Sequence, residues 1–83
     1  MTTPRPAARS TAIGDSHPSL RERVYVELRE RIIEGDYPAG LRLVEREIAD
    51  ELRVSRVPVR EAMQRLESEG FLSVQPRRGS VVA

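Results

Sequence analysis

Ser55, Arg56 and Arg60 stand close together in the chain, and Arg56 and Arg60 are four residues apart. On a helix that spacing puts both guanidinium groups on one face. A planar arginine fork can bond O6 and N7 of a guanine in bidentate fashion. A serine hydroxyl with the unpaired amides of a helix start can hold a phosphate. A second basic pair, Arg77 and Arg78, precedes Gly79 in the turn-forming run Gln75-Pro76-Arg77-Arg78-Gly79. A basic tip with a glycine suits entry into a narrow, negative groove. The chemistry on offer is recognition of a polyanion. The competing reading makes Arg56 and Arg60 solvated charges, with Arg60 paired to Glu61, Glu67 or Gln64.

Catalysis has little to draw on. His17 is the only histidine and there is no cysteine, so thiolate metal sites and disulfides are excluded. The carboxylates fall on helix faces, and the glycines sit at turns and form no phosphate-cradling array. No enzyme activity, cofactor or metal is expected. With 83 residues, 33% charged and 39% hydrophobic, the chain has material for one small core. The net charge of +1 does not itself mark a nucleic-acid binder. Its distribution says more: from Arg53 onward six arginines face three glutamates, while acids gather around Glu45 to Glu51. Lysine is absent and arginine supplies every Lys/Arg cation, a usage that a GC-rich genome explains better than function does. No apolar run approaches the roughly 18 residues of a membrane span, and no apolar stretch follows the N-terminal arginines, so a cytoplasmic protein is expected.

The elements that must position these residues follow from pattern. Residues 1–17 are poor in apolar groups and read as a disordered tail, with an alternative role for Arg5 and Arg9 as an arm tracking phosphates. Residues 18–83 form the domain. Ser19 and Glu22 make a capping box for a first helix, in which Leu20, Val24, Leu28 and Ile32, flanked by Tyr25 and Ile33, form the apolar stripe. Gly35 supplies a left-handed stop, residues 36–40 a turn, and Leu41-Arg42-Leu43 a very short strand. A second helix runs from Glu45 to Leu52 and buries Ile48, Ala49 and Leu52, with Val44 a poor N-cap. After the link Arg53-Val54, Ser55 caps a third helix whose first turn holds Pro58 and whose inner face is Val59, Ala62, Met63 and Leu66. Gly70 ends it. Residues 71–74 and 80–82 then form a hairpin around the basic tip.

Two helices across a short link, the second with arginines near its start, followed by a basic hairpin, make a winged helix-turn-helix: mainly α, three helices and a small β-hairpin. The run VEREIADELRVSRVPVREAMQRLESEGFLSVQPRRGSVV resembles the GntR family, in which a second helix, a link, an SR-x-P-VREA recognition helix, an LE-x-EG close and an RG-containing wing follow in order. Upstream, IIEGDYPAGLRL is similar to that family's G-x-x-x-P-G-x-x-L segment, and Pro58 with VREA is most similar to its FadR branch. The resemblance covers about Leu20 to Val82. It implies a bacterial transcriptional regulator that binds double-stranded DNA, with recognition helix 55–69 in the major groove and wing 75–80 in the minor groove. It adds Arg46, whose plainer reading is a surface charge paired with Asp50, and Gly79 as the wing-tip glycine. The candidate DNA-binding residues are then Arg46, Ser55, Arg56, Val57, Pro58, Arg60, Arg77, Arg78 and Gly79. Two departures stand out: Arg53 replaces a common Gly, at a cost of roughly 1 kcal/mol if left-handed, and Val57 replaces a frequent Thr, offering an apolar partner to a thymine methyl.

The alternative function is a winged helix used for protein–protein contact without DNA, which predicts an apolar outer face on the third helix. RNA binding lacks stacking aromatics, since Tyr25, Tyr37 and Phe71 fall at core or turn positions. The resemblance also implies a C-terminal effector and dimerisation half beyond this sequence. The chain is therefore expected to be a fragment, monomeric alone, and paired on an inverted repeat only with that half.

Overall fold

The computed structural model describes residues 19–83; the expected N-terminal tail, with Arg5, Arg9 and His17, lies outside the described residues. Three helices, α1 (Leu20–Ile33), α2 (Glu45–Leu52) and α3 (Arg56–Ser68), pack with three short strands, β1 (Arg42–Leu43), β2 (Leu72–Gln75) and β3 (Gly79–Val82). This is the winged helix-turn-helix expected from the pattern.

Helix α1 begins as its cap predicts: the Ser19 hydroxyl accepts from the Glu22 amide at 3.2 Å. The reciprocal half of the box is not used, because the Glu22 carboxylate turns away to accept from Arg65 Nη1 at 2.9 Å. The core collects Val24, Tyr25 and Leu28 from α1, Leu43 from β1, Ile48 and Ala49 from α2, Val59, Ala62, Met63 and Leu66 from α3, and Leu72 and Val82 from the sheet. Leu20 and Ile33 depart from the expected stripe, at 45% and 56% exposed. They are the first and last residues of a helix about 21 Å long at 1.5 Å per residue, and the small core reaches only its middle. Ile32 and Leu52 are half-buried at its margin.

The strands form one antiparallel sheet of order β1-β3-β2, so the short strand before α2 joins the hairpin and β3 lies in the centre. Arg42 faces Val81 and Leu43 faces Ser80, while Leu72 to Gln75 face Val82 to Gly79. Two further backbone bonds extend the first ladder, Gly40 N–H to the Val82 carbonyl at 2.8 Å and Val82 N–H to the Leu41 carbonyl at 2.9 Å.

Helix α3 is held from behind by α1. Arg65 lies 3.7 Å from the Tyr25 ring centroid and bonds Glu22 at 2.9 Å and Glu69 at 3.4 Å, while the Tyr25 hydroxyl donates to Glu69. The Tyr25 hydrogen bond, with help from Arg65, holds the Glu69 carboxyl below its ordinary value, and that same bond raises the Tyr25 phenol. At the other end Arg31 bonds Glu27 within α1 at 2.8 Å and ties α1 to α2 through Glu51 at 2.9 Å, with Tyr37 Oη at 3.0 Å.

Candidate nucleic-acid interface

The link between α2 and α3 sets where α3 starts. Arg53 closes α2 with φ 58° and ψ 47°, in the left-handed region. The amides of Arg53 and Val54 reach back to the Asp50 and Ala49 carbonyls at 3.3 and 3.1 Å. That paired pattern terminates a helix and favours glycine at the left-handed position. Arginine there is the departure noted in the sequence, and the backbone adopts the strained conformation regardless.

Ser55 occupies the N-cap position of α3, with φ −71° and ψ 168°, yet its hydroxyl makes no capping bond. One of its two usual donors is missing three residues on. A capping hydroxyl takes the N–H of the second or third helical residue, and the third is Pro58, which has none. The expected serine cap is thus replaced by an open helix start, where the Arg56 and Val57 amides and the Ser55 hydroxyl are free to meet an anion. Pro58 itself is buried, so it shapes this turn and offers no surface. Val57 is 55% exposed beside it.

Arg56 and Arg60 both lie on the exposed side of α3, opposite Val59, Ala62, Met63 and Leu66. Their partner is Glu45, not Glu61, Glu67 or Gln64. Arg60 donates Nε to Glu45 Oε2 at 3.2 Å and Nη2 to Oε1 at 3.0 Å, and Arg56 donates Nε to Oε1 at 3.3 Å. These bonds, the Arg60 hydrogen bonds foremost, hold the Glu45 carboxyl below its ordinary range and raise Arg60. One carboxylate at the start of α2 therefore gathers both arginines. Arg46, the next residue, is exposed and has no acidic partner among the described residues; the pairing with Asp50 is not formed.

A shallow depression of about 250 Å³ beside Arg60 is lined by Glu45, Gln64, Glu67, Val74 and Ser80, which brings the hairpin against the flank of α3. At the hairpin tip the Arg78 amide bonds the Gln75 carbonyl at 3.1 Å. Pro76 and Arg77 are the two middle residues of that turn, and Arg77 takes φ 67°, the positive value that a type II turn requires at its third place and that proline at the second accommodates. Arg78 folds back, donating Nη1 to Gln75 Oε1 and Nη2 to the Gly40 carbonyl, each at 3.2 Å. Arg77 points out with no partner among the described residues. Gly79 has φ 83°, and a Cβ there would lie 3.9 Å from Arg42 Nε. Arg42, an exposed strand residue that sequence reasoning passed over, thus belongs to the base of the wing. The alternation in Leu41-Arg42-Leu43 signalled its outward face but not its neighbour.

Among the described residues no cluster of histidine or acidic groups could hold a metal ion, and no helix is long and apolar enough to cross a membrane. The arrangement offers arginine forks, free amides and a cationic tip, all suited to phosphates and base edges.

Residues 20–82 match the family model of bacterial regulatory proteins, gntR family. The chain is 48% identical over 62 residues to the Exu regulon transcriptional regulator of Escherichia coli (strain K12), covering 74% of this chain and 23% of that protein. The fold is similar to the crystal structure of a GntR family member from Pseudomonas syringae pv. tomato str. DC3000, with a TM-score of 0.73 and 42% identity over 77% of this chain and 27% of that one. It is also similar to S. agalactiae BusR in complex with its busAB-promotor DNA, with a TM-score of 0.70 and 26% identity over 78% of this chain and 32% of that one. The chain spans half or less of the length of the curated relatives it matches.

Proposed function

This chain belongs to the gntR family of bacterial regulatory proteins, and from that premise we propose that it binds double-stranded DNA sequence-specifically, as the operator-reading domain of a bacterial transcriptional regulator. The observation that carries the reading is the exposed start of α3, where Arg56 and Arg60 stand together in front of an uncapped helix end. A major groove admits one helix and is read by residues near that helix's N-terminus. Helix α3 is the recognition helix, with Arg56 and Arg60 on guanine edges, Val57 against a thymine methyl, and Ser55 with the first-turn amides on a phosphate. Pro58 sets the conformation of that turn. Arg46 takes a neighbouring phosphate, and the wing, Arg77 and Arg78 around Gly79, enters the minor groove. The relative solved on its promoter DNA supports this class of partner.

The VREA run after Pro58 favours the FadR branch. Residues 18–83 are the DNA-binding unit of a longer cytoplasmic protein whose C-terminal half supplies the dimer, so that two copies meet an inverted-repeat operator, and repression is the favoured outcome. Duplexes selected from a random pool, then titrated with Arg56→Ala and Arg60→Ala, test the assignment. Each substitution is expected to cost about 1–3 kcal/mol on the selected site and to flatten discrimination at one base pair. Equal loss on every sequence would make the arginines phosphate contacts and the reading wrong.

A further inference from the structure

Glu45 is a carboxylate in the middle of a surface that is to meet a polyanion, where an uncompensated negative charge opposes binding. Its side chain is only 22% exposed, against 52% for Arg60 and 58% for Arg56. The way it holds Arg60 is specific. A guanidinium has five N–H donors, and the pair uses one from Nε and one from Nη2. The other Nη2 hydrogen and one on Nη1 form the edge away from the carboxylate, and neither has a partner among the described residues. Two adjacent donors along that edge match O6 and N7 of a guanine. Arg60 can therefore bond Glu45 and a guanine at once, with no exchange of partners.

We propose that Glu45 is a positioning residue that sets base specificity: from the first turn of α2 it fixes the Arg60 fork, with support from Arg56, so that its outer edge faces the base. The inference rests on the DNA reading above. Two effects act together. An unheld arginine loses rotamer freedom when it docks, which opposes binding, whereas one held at two points has already lost it. The carboxylate also offsets the arginine's charge, so the pair is drawn less strongly to any phosphate while its hydrogen bonds to guanine persist. Glu45 thus trades non-specific attraction for discrimination.

The test compares the full chain with Glu45→Gln, Glu45→Ala, Arg60→Ala and the Glu45→Ala/Arg60→Ala double variant on three duplexes. These are the selected site, the same site altered at the base pair where Arg60→Ala flattens discrimination, and a random sequence. Thermal unfolding of each variant is followed alongside. For Glu45→Ala, affinity for the selected site is expected to fall about two- to tenfold, while affinity for the random duplex rises. Glu45→Gln, which keeps the shape and one acceptor, should lie between. The double variant should discriminate no worse than Arg60→Ala alone, because the two act as a unit. Tighter binding to all three duplexes by one common factor would reduce Glu45 to a repulsive charge and overturn the proposal. Weaker binding to all three with a lowered Tm would reduce it to a fold contact and do the same. If Arg60→Ala flattens discrimination and the Glu45 variants do not, this inference alone fails; if Arg60→Ala leaves discrimination intact, the reading of Arg60 falls with it.

Discussion

Arg53 carries the backbone strain of the link between the two helices of the motif. A non-glycine residue in the left-handed region sets Cβ against the following carbonyl at about 1–2 kcal/mol, and Arg53 sits there at φ 58° and ψ 47°. Arg53→Gly removes that strain but makes the unfolded chain more flexible, which offsets about 0.5–1 kcal/mol. The side chain is exposed and takes part in no hydrogen bond or ion pair among the described residues, so its removal breaks no polar interaction there. The net expectation is a gain of about 0–1.5 kcal/mol, centred near 0.75 kcal/mol. For a domain of this size 1 kcal/mol moves Tm by about 4–8 °C, so at the central value the glycine variant should melt roughly 3–6 °C higher. Circular dichroism melts and urea midpoints at pH 7 measure this. Arg53→Ala is the control: it removes the same side chain, keeps the strained backbone, and should gain nothing. A glycine variant no more stable than the alanine one would show that the link is unstrained and refute the reasoning.

Three further outcomes are expected. Replacing Arg77 and Arg78 by Ala should lower the magnitude of the slope of log K against log salt by about one unit for each phosphate no longer neutralised; an unchanged slope leaves the wing without a part in binding. The Glu69 carboxyl is depressed chiefly by the Tyr25 hydrogen bond, so its stabilising effect is complete above the ordinary carboxyl value of 4.5 and is lost as pH falls through the lower folded value. Tyr25→Phe should flatten the acid limb of urea-midpoint profiles below that pH, and an acid limb of unchanged steepness would set this pair aside. Finally, the isolated chain should sediment as a monomer at micromolar concentration and bind a half-site weakly. Fusion to a dimerising coiled coil with a linker that spans the half-sites should raise affinity for the inverted repeat by about 10² to 10⁴, and a tight dimer without the fusion would contradict this.

Whatever one element decides alone is legible in the sequence. The Ser19 cap, the inner face of α3 and the hairpin around residues 75–79 depend on neighbours a few positions away, and periodicity reports them directly. Arg46 is reached only through family resemblance, because an exposed arginine has no pattern of its own. Partners across elements are illegible. Glu45 meets Arg56 and Arg60 across the left-handed link, and Arg65 meets Glu22 across the α1–α3 packing, so both depend on helix orientations that no local pattern encodes. The vacant Ser55 cap is only half legible: Pro58 lacks one of the two hydrogens that a capping hydroxyl could take, while the Val57 amide keeps the other. Leu20 falls outside the core because the apolar stripe runs past the reach of so small an interior.

The pairing of β1 with β3 also bears on how the molecule comes together in time. Leu43 and Ser80 are neighbours in the sheet, and everything between them, α2, α3 and β2, lies inside the loop that their contact closes. Closing a long flexible loop before its interior is ordered carries an entropy cost that few local contacts repay. The two helices and their link should therefore collapse first, on α1, and the β1–β3 ladder should form late, as a latch across an assembled motif. Native-state hydrogen exchange would then find the Gly40 and Val82 amides opening at lower free energy than those of mid-α3, so that the wing can loosen at its root while the recognition helix stays packed.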